Sequence, residues 1–248
     1  MADTSGTPTE SYYEEAWRVK LDRPEYATLE RRWRSRWDFV VTHMPEESHT
    51  LDMGCGDGVL GEQLIRVKNC VVTGLDVSDF ALARARERGV DACKCDISMS
   101  SVPFDEDSFD AVTLSCVLEH IALPEHALTE AARVVKDGGY VLVTLPNPLT
   151  WKIRIAFLRG KFHSDFLHSR PGEGLHYRFW PVRDGLEKML QDLYLPFTLT
   201  LKSVDVKNPR KYSRFGLRWR RRLIVASPAL FGEYTHYILR KDISRTTG

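Results

Sequence analysis

Between residues 48 and 147, short apolar runs alternate with segments of helical periodicity, and this alternation constrains the fold more than any other feature of the chain. Runs ending at Met53, over "CVVTGLD", up to Cys95, over "FDAVTLS" and over "YVLVTL" have the length and β-branched content of buried strands. Between them lie "GVLGEQLIRV", then "DFALARARER", opened by Ser78 as an N-cap and stopped at Gly89, and then "PEHALTEAARVVK", with a Gly138-Gly139 turn after it. Strands separated by helices of about ten residues require right-handed crossovers, hence an α/β chain with a doubly wound, parallel sheet. Tyr26, Leu29, Trp33 and Trp37 recur at helical spacing ahead of this core. Beyond it, Leu186, Met189, Leu190 and Leu193 form one apolar helix face, and "FTLTLKSVDV" and "EYTHYILRK" read as two further strands.

Along its length the chain divides into a polar, disordered tail (1–10), a helical cap (11–44), the alternating core (45–147), and a Pro-, Gly- and His-containing insertion (148–181). A helix and strand pair with a basic loop follow (182–241), then a short tail (242–248). At 248 residues and 43% apolar composition it can bury the core of one globular domain. A net charge of +1 exerts no global pull toward nucleic acid. The five cysteines are an odd set without the spacing of a secreted scaffold, and a reducing cytoplasm suits them. Cys93 and Cys95 share a strand face, but no second pair has metal-ligand spacing, so they read as core or crevice lining and no metal is expected. No run approaches the roughly 18 apolar residues of a membrane span, and "MADTSGTPTE" lacks a signal peptide's apolar stretch.

The first strand runs into "LDMGCGDG", where Gly54, Gly56 and Gly58 alternate between two aspartates. Taken alone the glycines could be turn punctuation. A glycine turn between strand and helix lets a ligand touch backbone, and its usual occupant is a pyrophosphate. Asp52 and Asp57 would repel that occupant and suit a ligand with an amine and a positive centre, as in S-adenosylmethionine. Asp76, about twenty residues on, stands where a carboxylate accepts both ribose hydroxyl protons. Asp96, in "CKCDI", is placed to accept the adenine amino group, with Ile97 beside the ring.

With "VTGLDVS", "CDI", "VPFDEDSFDAVTLSCVLEHI" and "AARVVKDGGYVLVTLPN" following in order, residues 48–147 resemble the class I S-adenosylmethionine-dependent methyltransferases, in their type 11-like branch. The resemblance implies a Rossmann-like seven-stranded sheet of order 3-2-1-4-5-7-6, helices on both faces, and a terminal antiparallel hairpin. It assigns Asp52, Gly54, Cys55, Gly56 and Gly58 to the cofactor's methionine end, Asp76 and Val77 to the ribose, and Asp96 and Ile97 to the adenine. Ser115 and Cys116 would line the side of methyl transfer. It also implies a small-molecule methyl acceptor, presenting an O or N on a metabolite, sugar or lipid-linked cell-envelope intermediate.

The acceptor's base is expected in the insertion, where "GLHYRFW" holds His176, Tyr177 and Arg178; a histidine there can take a hydroxyl proton or simply orient the loop. His163 and His168 lie farther from any motif, and His120, after Glu119, is open to a structural or a catalytic reading. Tyr12 and Tyr13 suit either a lid over the sulfonium or packing of an N-terminal helix. The segment 207–222 carries eight cations and no acid, with Tyr212, Phe215 and Trp219 interleaved. It reads as a solvated charge run or as peripheral contact with an anionic membrane surface; RNA is disfavoured because no RNA-binding domain accompanies it. Two alternatives remain: a cofactor-binding module or partner subunit without turnover, and a nicotinamide-dependent dehydrogenase, which would share the glycine turn and Asp76.

Overall fold

The computed structural model describes residues 8–24, 26, 37–147, 149–160, 180–182, 184–205 and 214–243. Its centre is one seven-stranded sheet. The strands are β1 (His49–Met53), β2 (Val71–Asp76), β3 (Asp91–Lys94), β4 (Phe109–Ser115), β5 (Val135–Pro146), β6 (Phe197–Asp205) and β7 (Tyr234–Lys241). Their spatial order is β3-β2-β1-β4-β5-β7-β6. All neighbours pair in parallel except β7, which runs antiparallel to both β5 and β6. The strand order reverses between β1 and β4, and the carboxyl ends of strands flanking such a switch point open a crevice.

Residue alternation puts a core on each face of the sheet. Leu51, Met53, Leu75, Val112, Leu114, Val141 and Val143 point to one side, onto helices α5 (Pro124–Val134) and α7 (Gly185–Asp192). Val72, Ala111 and Leu142 point to the other, with Val40 and Met44 from and beside α2 (Asp38–His43), Leu60 and Leu64 of α3 (Val59–Lys68), and Leu82 and Ala85 of α4 (Asp79–Glu87). The α7 face is the expected one, with Leu186 and Leu190 buried and Met189 packed against the core. Ser78 is the N-cap of α4, its hydroxyl accepting from the Ala81 N–H at 3.1 Å. Among the described residues no helix is long and apolar enough to cross a membrane.

Four elements differ from the sequence reading. Helix α1 (Pro8–Leu21) starts inside the stretch expected to be a disordered tail; Pro8 is preset for a first helical residue and Glu10 suits the positive end of the helix. The last two residues of "PEHALTEAARVVK" do not extend α5, which stops at Val134; Val135 and Lys136 open β5. The Gly138-Gly139 turn is a bulge within β5: Phe109 pairs with Val135 but Ala111 pairs with Tyr140, so Lys136 to Gly139 loop out opposite Asp110. Helices α6 (Trp151–Leu158) and α8 (Arg214–Ala226) occupy parts of the insertion and the basic loop, followed by the short α9 (Pro228–Phe231). Leu29 and Trp33 of the helical repeat that starts at Tyr26 fall outside the described residues, as do 206–213.

His236 of β7 is 3% exposed, stacked on Phe39 at 4.4 Å between ring centroids and within 3.0 Å of the Thr144 hydroxyl. Burial, helped by the charge of His43, pushes its imidazole down from 6.5 to about 4. Between those values the unfolded chain binds the proton and the folded chain does not. This group's contribution is therefore complete above pH 6.5 and is lost as pH falls toward 4, by about 3 kcal/mol. Denaturant titrations at pH 7 and pH 4.5 should show the loss, and His236→Asn should reduce that pH dependence; an unchanged slope would contradict the assignment.

Candidate active site in the switch-point crevice

The crevice begins where β1 passes into α3. Gly54, Gly56 and Gly58 all have positive φ, at 80°, 54° and 78°. At Gly56 a Cβ would lie 2.5 Å from the Trp17 ring, and at Gly58 it would lie 2.7 Å from the Ala85 backbone, where α3 and α4 pack. Four of the turn's amides are engaged within the protein: Gly54 and Cys55 both donate to the Leu75 carbonyl at 2.8 Å, Gly58 to the Cys55 carbonyl at 3.1 Å, and Gly56 to the Asp76 carboxylate at 2.9 Å. A pyrophosphate needs such donors free. Their engagement favours a nucleoside without a diphosphate, and it does so better than the charge of Asp57. That carboxylate is 5% exposed, receives the Tyr26 hydroxyl, and faces Arg88 at 3.4 Å, so its charge is balanced within the protein and does not field the ligand.

The other acids divide by depth. Asp52 is 2% exposed and accepts the Thr113 hydroxyl of β4. Burial pushes its carboxyl up to about 6, against that hydrogen bond, and the Asp76 charge adds to the rise. It lies under the turn. Asp76 stands at the end of β2, half-buried, with Oδ2 receiving Gly56 N–H and Oδ1 receiving Ser78 N–H at 3.0 Å. Burial raises its carboxyl above the usual range, while those amides, that of Val77 and the Lys20 ammonium oppose the rise. A carboxylate has about four acceptor positions, so room remains for a hydroxyl proton of a ribose. Asp96, just past β3, accepts the Ser98 amide at 2.9 Å and the Ser98 hydroxyl at 2.7 Å. Ile97 is 4% exposed within the core, and Cys55 turns its thiol into the sheet, leaving backbone toward the turn. At the end of β4, Ser115 has a buried Oγ with no hydrogen-bond partner among the described residues, and Cys116 adopts φ 56°. Since β3, β2, β1 and β4 are consecutive neighbours, these residues share one edge of the sheet.

Helix α1 spans this edge, a placement the sequence reading only half anticipated. The Tyr13 hydroxyl donates to the His120 carbonyl at 2.9 Å on the β4 side. The Glu14 carboxylate receives the Ser78 hydroxyl at 2.7 Å and the Phe80 amide at 3.1 Å on the β2 side. Between them Trp17 covers Gly56, with the Lys20 ammonium 3.6 Å from its ring centroid. Although burial works against it, hydrogen bonds from Ser78, Phe80 and Arg18 hold the Glu14 carboxyl below its usual value. Trp17 and Glu14 were missed because their partners lie some 39 to 66 residues away; the aromatic spacing Tyr13 to Trp17 was the available signal. His120 lies beside Glu119, with Nε2 3.7 Å from Oε1. His163, His168, His176, Tyr177 and Arg178 fall outside the described residues.

The fit of S-adenosylmethionine rests on four features of this edge: a turn whose Gly54, Cys55, Gly56 and Gly58 amides are engaged, a half-buried carboxylate at the ribose position, a buried hydroxyl at Ser115 without a partner among the described residues, and aromatic cover from α1. A hollow at the opposite end of the strands, lined by His49, Asp91, Phe104 and Arg133, is unlike it, because the Arg133 guanidinium is engaged by Glu130 and by the Val102 and Phe104 carbonyls.

Comparison with known proteins bears on the fold and the family. Residues 51–143 match the family model of a methyltransferase domain. A ubiquinone biosynthesis O-methyltransferase of Alkalilimnicola ehrlichii is 39% identical over 119 residues, covering 45% of this chain and 48% of that protein. The chain spans about half the length of the curated relatives it matches. Among solved structures, a Thermotoga maritima S-adenosylmethionine-dependent methyltransferase, described as a possible histamine N-methyltransferase, superposes with a TM-score of 0.66 at 18% identity, over 93% of this chain and all of that one. A [4+2]-cyclase superposes with a TM-score of 0.56 at 21% identity, over 85% and 81% of the two chains.

Proposed function

We propose that this chain belongs to the class I S-adenosylmethionine-dependent methyltransferases and transfers a methyl group to an oxygen of a small molecule. The observation that carries the reading is Asp76, anchored by the Gly56 and Ser78 amides at the end of β2 and beside a glycine turn whose Gly54, Cys55 and Gly58 amides are engaged as well. The bound cofactor supplies an already activated sulfonium methyl. What remains for the protein is placement. In this reading Asp76 and Val77 hold the ribose, Asp96 and Ile97 the adenine, and the turn at Gly54, Cys55 and Gly56, above Asp52, the amino-acid end. Ser115 and Cys116 border the acceptor, and α1 excludes water from above. His176 is assigned as the base that takes the acceptor's hydroxyl proton. The enzyme is placed in the cytoplasm, in peripheral contact with an anionic membrane surface through 207–222.

Asp76→Ala removes the ribose acceptor and should weaken S-adenosylmethionine binding by roughly 1.5 to 3 kcal/mol per bond lost. Calorimetry with S-adenosylmethionine and, in parallel, NADH tests both this and the dehydrogenase alternative; an unchanged dissociation constant in the variant sinks the assignment. Because a fold does not by itself fix turnover, the alternative is a chain that binds the cofactor without transferring its methyl. Release of S-adenosylhomocysteine on incubation with cell extract separates the two, since a module without turnover forms none.

A further inference from the structure

Apolar side chains stand in water on this chain where positive charge is also concentrated, at the same end of the sheet as the crevice. Helix α6 follows the carboxyl end of β5 and presents Trp151, Ile155 and Leu158, an i, i+4, i+7 stripe with Leu158 87% exposed. None of its residues is buried, and residues 149–162 contain Lys152, Arg154, Arg159 and Lys161 with no acid. Helix α8 exposes Trp219, Leu223 and Val225, the last 84% exposed, while Ile224 faces inward. Residues 206–232 contain no acid, and Arg218, Arg221 and Arg222 of α8 are exposed.

The two helices belong to one edge. Pro146 at the end of β5 and Asp205 at the end of β6 both pair with Tyr234 at the start of β7, so α6 and α8 extend from the end of the sheet that carries Asp76 and Ser115. Asn147 ties their surroundings together: its amide donates to the Ala229 and Gly232 carbonyls at 3.2 and 2.7 Å, and its carbonyl accepts the Leu149 amide at 3.0 Å. Helix α9 in turn packs on α8.

We propose that this edge docks on an anionic lipid bilayer, with α6 and α8 lying in the interface and the acceptor side of the crevice turned toward the lipid. Arginines and lysines answer the negative surface potential, and the apolar stripes enter the boundary of the acyl chains. Beside the exposed Trp151 and Trp219, the aliphatic Ile155, Leu158, Leu223 and Val225 gain from hydrocarbon and offer a nucleobase no ring to stack on, which favours the bilayer over single-stranded RNA. The docking itself is independent of the methyltransferase reading; only the orientation of the crevice rests on it.

The test is sedimentation of the whole chain with phosphatidylglycerol-containing vesicles and with phosphatidylcholine vesicles, alongside calorimetry with S-adenosylmethionine. Binding is expected to the anionic vesicles, weakened by salt and much weaker on the neutral ones. The exposed substitution Leu158→Glu should weaken it by about tenfold, and Arg221→Gln or Arg222→Gln by about fivefold each, with cofactor affinity unchanged. Loss of cofactor binding in the parent protein would count against the methyltransferase reading alone, and vesicle binding in that case still supports docking. No binding to anionic vesicles at low salt overturns the proposal. So does competition by millimolar glycerol 1-phosphate, which would reveal a phosphate site, or displacement by single-stranded RNA with Leu158→Glu and the parent equally affected. Full vesicle binding by both Leu158→Glu and Ile155→Glu removes α6 from the surface.

Discussion

Gly56→Val is expected to abolish measurable binding of S-adenosylmethionine, at least about a hundredfold or 2.7 kcal/mol, while the sheet still unfolds cooperatively. Two effects combine. At φ 54° a β-branched residue sits in the left-handed region, at a cost of roughly 1 to 2 kcal/mol, so the turn moves and the Gly56 amide leaves Asp76. The new Cβ also begins 2.5 Å from the Trp17 ring, so α1 has to lift from the crevice. The double variant with Trp17→Ala relieves the second effect and not the first, and its binding should stay lost. The measurement is calorimetry together with thermal unfolding, where the parent's melting temperature rises with cofactor and the variant's does not. A retained rise would count against the whole crevice.

His176→Ala should lower turnover by about two to four orders of magnitude with cofactor affinity nearly unchanged, if the acceptor is a hydroxyl that needs a base. His176→Gln keeps hydrogen-bonding capacity but cannot take the proton at neutral pH, and should be as poor. The parent's rate should fall as pH drops through the range where histidine becomes protonated. If both variants keep most of the activity, His176 orients its loop, and an acceptor already anionic becomes the better substrate class. The same kinetics on Asp76→Ala should give the opposite split, with the loss in cofactor affinity.

Much of the site was legible because it is local. Gly54, Gly56, Asp76 and Asp96 fall at ends of strands that the apolar pattern marks, and neighbouring strands bring them to one edge. Charge was a poorer guide than position. Asp57 looked like part of the ligand's field, yet Arg88 and Tyr26 balance it, and Asp52 lies beneath the turn on Thr113. A carboxylate's electrostatic role depends on its burial and on what pairs or hydrogen-bonds with it, and in both cases the partner is far along the chain. The amides of the turn, which argue more strongly against a diphosphate, carry no sequence signal at all.

From residue order alone follow the alternation of strand and helix, its parallel doubly wound consequence, the two-faced core, and the order of the motifs along the crevice, since each depends on a periodicity of two or 3.6 within one segment. Only the tertiary structure decided that α1 lies across the crevice and that α6 and α8 share its edge. Helix α1 carries no strong apolar stripe and is held by Tyr13, Glu14 and Trp17 against residues dozens of positions away; α6 buries nothing, so nothing in its own pattern points inward. A helix stabilised by long-range contacts is not encoded in its own repeat, because tertiary packing supplies most of its stability.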